Sequence, residues 1–310
     1  MDWREQLTDL VRRRRRALVA AGWAIGVIGY LAFAGDLWSA VERDGGTAYD
    51  ARAYWLAGRH VLSGDPLYGE VGIGDPGAYR YLPTFAYLMV PFAPLPELAF
   101  AWLYRIVALL CLRYLVGSWM WVGWALLLPP VSIELLALNV TLPIAAAQRW
   151  ALRGGPAGAA LLPFAAVLKY GSALLLPYLW LRRPGSRRAL AWGVAGLAAA
   201  IAIHVAVEPA AWRAFVSSLV QQSTSINQAP FVGEQLVVLV PTTLGDFLLR
   251  LGIAAVLTLI AWRKGWDWLA FSAATIAVPT LWVARLAPLV AVPRLWWEER
   301  AERARADDLR

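Results

Sequence analysis

Long apolar runs separated by short basic clusters leave this chain few folds to adopt. Arg12 to Arg16 precede an apolar run from Ala17 to about Ala34, and further clusters follow at Arg149/Arg153, Arg182–Arg183 with Arg187–Arg188, Arg263–Lys264, and Arg294 onward. Such clusters mark the cytoplasmic ends of membrane segments, because Lys and Arg are retained on the inner side. The composition agrees: 60% of the 310 residues are hydrophobic, 16% are charged and 18 are Trp, with a mean hydropathy of +0.53. That balance excludes an apolar core wrapped in a polar surface. The net charge of +8 lies between the apolar runs, which argues against a nucleic-acid partner and for membrane lipid. The single cysteine, Cys111, excludes an internal disulfide.

A secretory signal peptide competes for the first run, since Ala32-Phe33-Ala34 resembles a cleavage site. The run is longer than a usual signal core and more apolar segments follow, so a retained helix with its N-terminus inside is expected. Placing all basic clusters inside predicts a single all-α polytopic membrane domain over 1–310, with about ten segments. They fall near 17–35, 97–117, 118–131, 139–152, 156–168, 171–182, 189–207, 246–262, 267–279 and 282–297. Residues 1–16 and 298–310 are then cytoplasmic, and 36–96 and 208–245 are outer loops. The stretch 36–97 holds eight acids against four arginines, as an outer loop allows.

Several segments are short. Between Arg153 and Arg182, one continuous helix would put two basic ends on opposite sides. A break at Lys169-Tyr170-Gly171 gives two halves of roughly 20 Å each at about 1.5 Å per residue, shorter than the hydrocarbon core. A similar break is expected at Pro279 to Trp282, and a turn from Pro129-Pro130 to Asn139. Within the first outer loop, residues 50–63 have helical periodicity. Ala51, Tyr54, Trp55, Gly58 and Leu62 share one face, while Arg52, Arg59 and Ser63 share another. That pattern fits an interfacial helix, and the Pro-rich segment 81–96 suggests a second. The tail from Arg294 reads as a cytoplasmic surface helix with i,i+4 charge pairs and no chemistry of its own.

With this topology Asp50, Arg80, Glu134, Asn139, Lys169, Asn227, Glu234 and Arg285 all map near the outer face. Ionisable groups at membrane depth are costly, so their convergence points to a functional site. An acid could accept a proton there, and cations could hold phosphate. Asp50 could instead balance Arg52 or Arg59 or cap the helix it begins, and Asp44, Asp36 and Asp65 are rival acids. His204, in an apolar helix, reads as a packed or hydrogen-bonded residue. No Walker A loop, zinc signature or nucleophile elbow is present, and no tight Asp-x-Asp pair suggests a metal.

The order Asp50-Ala-Arg-Ala-Tyr54, Ala57-Gly58, Gly64-Asp65-Pro66-Leu67-Tyr68 and Tyr81-Leu82-Pro83 resembles the first outer loop of glycosyltransferase family 87. Residues Ala157-Gly158 through Leu168-Lys169, then Leu176-Pro177-Tyr178-Leu179 and Arg182-Arg183, resemble that family's lysine-bearing hairpin. Asn139 resembles the asparagine of its short Gly-Gln-Val-Asn-like turn, with Ala137-Leu138 before it here. Asn227 resembles a polar position of its second outer loop. The resemblance spans roughly 20–297 and rests on the motifs occurring in order.

The resemblance implies a GT-C-fold enzyme of the plasma membrane. It would move a sugar, usually mannose, from a polyprenyl phosphate to a glycolipid or glycan hydroxyl on the extracytoplasmic face, with inversion; no cofactor is expected, although some GT-C enzymes use a divalent ion with acidic motifs. Asp50 matches the general base. Lys169, Arg80, Arg285, Asn139, Asn227 and Tyr54 match or flank positions for donor phosphate and sugar. One departure stands out: the family carries a Trp-x-His-His-like run where this chain has Trp282-Val283-Ala284-Arg285. Arg285 stays protonated and cannot replace a histidine as a base. An inactive lipid-binding relative is therefore one alternative. A lipid-linked sugar transporter is another, although mid-membrane charges and inverted repeats, which it should show, are not evident.

Overall fold

The computed structural model describes residues 13–41, 48–68, 79–225, 238–240, 244–278 and 281–308. Among the described residues the chain forms fourteen α-helices: α1 (Arg15–Val41), α2 (Tyr49–Ser63), α3 (Pro83–Met89), α4 (Glu97–Val116), α5 (Trp119–Ala125), α6 (Pro129–Ala137), α7 (Thr141–Leu152), α8 (Pro156–Leu168), α9 (Leu175–Arg182), α10 (Arg187–Val207), α11 (Pro209–Ser225), α12 (Leu244–Lys264), α13 (Asp267–Ile276) and α14 (Val292–Asp307). The expected all-α architecture is present, apart from one small antiparallel pair, β1 (Val238–Val240) and β2 (Leu281–Trp282).

Among the described residues, four stretches are long and apolar enough to cross a membrane: Arg15–Ala32, Glu97–Val116, Pro184–Val207 and Leu244–Lys264. The pair α5 and α6, bent by 94°, makes a fifth if the two form one span. This is the architecture of a multi-pass helical membrane protein. The other expected segments also form helices but are shorter, so they cannot each cross the roughly 30 Å hydrocarbon layer unaided.

Within α4 the residues Ala101, Ala108, Leu112 and Leu115 form a buried stripe at helical spacing, while Leu98, Trp102, Ile106 and Leu110 are exposed. Apolar side chains left exposed on a helix of spanning length present a surface suited to lipid. Small residues bring α1 and α5 together. A Cβ on Gly26 would run into the carbonyl oxygen of Gly123, and one on Gly123 would lie 2.7 Å from the carbonyl carbon of Gly22. Backbones at that separation require glycine on both sides, as in membrane helix pairs generally.

The breaks explain where polar residues can sit. α8 stops at Leu168, Lys169 turns extended (φ −141, ψ 102), and a 3₁₀ turn over Tyr170–Leu174 leads into α9. Gly171 is needed in that turn, since a Cβ there would meet the carbonyl oxygen of Ala274 on α13. The break expected near Pro279 is present too: α13 ends at Ile276 and the chain resumes as β2 and a 3₁₀ stretch over Val283–Ala291. The turn expected from Pro129-Pro130 to Asn139 is present as two changes of direction. The chain bends by 94° between α5 and α6, just before the prolines that open α6, where a missing N–H costs nothing. It turns again at Leu138, which adopts a left-handed conformation (φ 55).

The helices expected at 50–63 and 81–96 form as α2 and α3. Of the residues expected to share one face, Ala51, Tyr54, Trp55 and Gly58 are buried, whereas Leu62 is 59% exposed. The Trp55 indole donates to the Leu95 carbonyl at 2.9 Å, and Gly58 lies against the carbonyl of Met89, so α2 and the α3 segment pack as a unit.

Candidate functional site

Two non-glycine residues among those described have positive φ, Ala48 (φ 66) and Leu138 (φ 55). A left-handed non-glycine residue costs of the order of 1–2 kcal/mol, so it persists where the surroundings impose it. These two lie together. The Ala48 amide donates to the Leu136 carbonyl at 3.1 Å, fixing the start of α2 on the end of α6. Asp50 follows Ala48 by two residues, and Asn139 follows Leu138 directly.

The Asn139 amide nitrogen donates to Asp50 Oδ2 at 2.6 Å. Its amide oxygen accepts from the Thr141 hydroxyl at 3.1 Å and from Arg285 Nη1 at 3.2 Å. Arg285 Nη1 also reaches Thr141 Oγ1 at 3.2 Å. With its oxygen held by two donors, the amide must turn its NH₂ towards the carboxylate. Below them, Glu134 Oε1 accepts from the Thr141 backbone amide at 3.1 Å, at the first turn of α7, while Oε2 is buried without a partner. Acid at a helix N-terminus is electrostatically favoured.

Asp50 is neither a helix cap nor a local counter-ion. The N-cap position of α2 is Ala48, Arg52 lies 3.5 Å from Glu97, and the Arg59 guanidinium lies over the Trp55 ring. Asp50 retains some exposed surface. Burial of its carboxyl group raises its pKa above the usual carboxylate range, partly offset by the Asn139 hydrogen bond and by the charges of Arg285 and Arg80. A raised carboxyl pKa strengthens the group as a base once ionised.

Tyrosines wall the site. Tyr54 is fully buried, and its hydroxyl lies 3.1 Å from that of Tyr81. Burial raises both phenols, Tyr81 to about 12, with the Asp50 charge adding to the shift. Rings of Tyr81, Phe85 and Tyr104 pack around Tyr54.

Of the predicted residues, the structure joins Asp50, Asn139 and Arg285 by hydrogen bonds and brings Glu134 in through Thr141. Arg80 is exposed but close enough for its charge to act on Asp50. Lys169, at the end of α8, is not hydrogen-bonded to this group. Asp65 is exposed, takes the Ser63 hydroxyl at 2.5 Å and stands apart. Asn227, Glu234 and Asp44 lie outside the described residues, as does the side chain of Asp36. His204 is buried, with Nδ1 at 3.2 Å from Thr84 Oγ1 and its ring edge-on to Tyr87, the packed role expected of it. Thr141 was not anticipated. Its only sequence signal is its place two residues after Asn139, at the start of an apolar helix.

At the other end of α7 the charges form ion pairs, with Arg149 Nε buried without a hydrogen-bond partner. Arg149, nearly fully buried, makes two hydrogen bonds to Glu298 at 2.7 and 2.8 Å and lies over the Tyr114 ring. Arg153 pairs with Glu302, and Arg294 with Glu298 at 2.9 Å. The tail is therefore not merely laid on a surface. The predicted i,i+4 pairs exist, and the acids of α14 also reach across to α7.

No three His, Cys, Asp or Glu side chains gather into a metal-holding group among the described residues. No family model, curated protein or solved structure matches the chain.

Proposed function

We propose that this chain is a membrane glycosyltransferase of GT-C type. It transfers a sugar, mannose by the family resemblance, from a polyprenyl phosphate to a glycolipid or glycan hydroxyl at the extracytoplasmic face of the plasma membrane. Both termini then lie in the cytoplasm. The observation that carries this reading is the hydrogen-bonded group Asp50–Asn139–Arg285. It unites the first-loop acid that matches the family's base with a fixed cation.

In this reaction the acceptor oxygen attacks the anomeric carbon while Asp50 takes the hydroxyl proton. The bond from carbon to the phosphate oxygen breaks, its electron pair leaves with the polyprenyl phosphate, and configuration inverts. Arg285 and Arg80 balance charge on the departing phosphate, with Lys169 as a further cation supplied by the break after α8. Asn139 acts as a positioning residue: it holds the Asp50 carboxylate, and Arg285 and Thr141 hold Asn139.

A second reading is binding without transfer. It is favoured by Arg285, which replaces a family histidine and is committed to Asn139 and Thr141. Transfer of radiolabelled mannose from polyprenyl phosphate into a mixed glycolipid extract, by purified protein in nanodiscs, separates the two. Transfer that collapses with Asp50→Ala supports the enzyme. Saturable donor binding without transfer, across acceptor extracts that a known mannosyltransferase can use, selects the binding protein.

A further inference from the structure

Two corners of the chain meet at the basic end of the bundle. One joins α9 to α10 through Arg182, Arg183, Pro184–Ser186, Arg187 and Arg188; the other joins α12 to α13 through Arg263, Lys264 and Gly265. Arg183 donates to Asp267 at 2.7 Å, linking the corners directly. Gly265, at φ 69, makes room for the Arg182 guanidinium, which a Cβ there would strike.

The acids of this region are already engaged. Asp267 is buried and accepts from Tyr178 at 2.6 Å as well as from Arg183. Glu299 is buried, accepts from the Trp268 amide at 2.9 Å and pairs with Arg303 at 3.2 Å. Arg182, Arg187, Arg188, Arg263 and Lys264 remain exposed, and among the described residues no carboxylate lies within 4.0 Å of any of them. Five cations on two adjoining corners thus have no paired carboxylate among the described residues.

Their position selects the partner. α10 begins and α12 ends at these corners, and both belong to stretches of spanning length and composition with little of their surface buried, 11% and 17%. The corners therefore sit where apolar, lipid-facing helix surface gives way to water. Trp180 and Trp192, 46% and 66% exposed, flank them, with the Arg187 guanidinium 5.9 Å from the Trp180 ring centre. Exposed indole beside cations is the composition of a headgroup layer contact.

We propose that the paired α9–α10 and α12–α13 corners bind the phosphate-bearing headgroups of anionic phospholipids. The surface is separate from the Asp50 site and stands whether or not the chain transfers sugar.

The test titrates the full chain in neutral detergent with dioleoyl phosphatidylglycerol, dioleoyl phosphatidylcholine or inorganic phosphate, reading the melting temperature. Phosphatidylglycerol should raise it saturably and phosphatidylcholine should not. In a variant carrying Arg182→Gln, Arg188→Gln, Arg263→Gln and Lys264→Gln, the phosphatidylglycerol concentration for half the increment should rise at least about tenfold, since each surface cation contributes about fivefold. A variant with the three arginines replaced by lysine should keep the wild-type midpoint. Raising salt to about 0.5 M should shrink the wild-type increment, a readout that needs no variant. Equal increments from the two lipids, an unchanged midpoint in the glutamine variant, or a salt-independent increment would overturn the proposal. So would an increment reproduced in full by inorganic phosphate, which would make the ligand a free anion.

Discussion

α7 has a charged group at each end, and the two are built differently. At its C-terminal end, Arg149 and Arg153 meet the α14 carboxylates of Glu298 and Glu302, and Arg294 joins them. At its N-terminal end, Glu134 keeps one buried oxygen without a partner, and two left-handed residues hold the chain in place. The first group balances charge between paired arginines and carboxylates, although Arg149 Nε there is also buried without a hydrogen-bond partner. The second leaves an acid's oxygen unmatched, which costs stability and can be met by a partner from outside. The contrast fits a structural role for α14 and, under the proposed function, a chemical one for the Asp50 region.

Asp50→Asn breaks that comparison most strongly. The amide is nearly isosteric, so sugar transfer should fall by about 10²- to 10⁴-fold with little change in melting temperature. Retained transfer at normal rate would remove Asp50 as the base. Arg149→Met is the converse. Removing one member of a buried pair should destabilise by about 3 kcal/mol, visible as a lower melting temperature in detergent, while transfer per folded molecule stays the same. A loss of activity without loss of stability would move α14 out of its structural role.

Two pH experiments sharpen the contrast. Burial pushes Glu299 up to about 7 despite its bonds to Trp268 and Arg303. A carboxyl raised in the folded state stabilises most when protonated, below its unfolded value, and that contribution is lost as pH rises through about 7. Melting temperature should therefore decline from acid towards neutral pH, and Glu299→Gln should flatten the decline. At the other end, Asn139→Leu removes the hydrogen bond that holds the Asp50 pKa down. The base must be ionised to act, so the acid limb of kcat/KM should move to higher pH. A limb that stays in place would separate Asn139 from the titration of Asp50.

Much of the fold was legible because local signals produced it. The 3.6-residue spacing of Ala51, Tyr54, Trp55 and Gly58 marked α2, and a lysine inside an apolar run marked the break after α8. Some signals were double. Pro129-Pro130 marks both the bend before it and the helix that starts at it, and Leu62 shares the spacing of the apolar face without its burial. The site was legible only as an inventory. Asp50 and Asn139 are 89 residues apart and Asn139 and Arg285 are 146 apart, so no periodicity pairs them. Glu134 drew notice as an acid in an apolar segment, but its bond to the Thr141 amide depends on the reversal at Leu138, which no glycine announced.

The pairing of β1 with β2 carries a different implication. It joins Val238 to Trp282 and Val240 to Leu281, three to four residues before Arg285, through main-chain atoms. A tether made of peptide groups survives nearly any exchange of side chains except proline, which lacks the N–H. Side-chain exchanges along this seam should therefore leave the segment leading into Arg285 anchored to Val238–Val240.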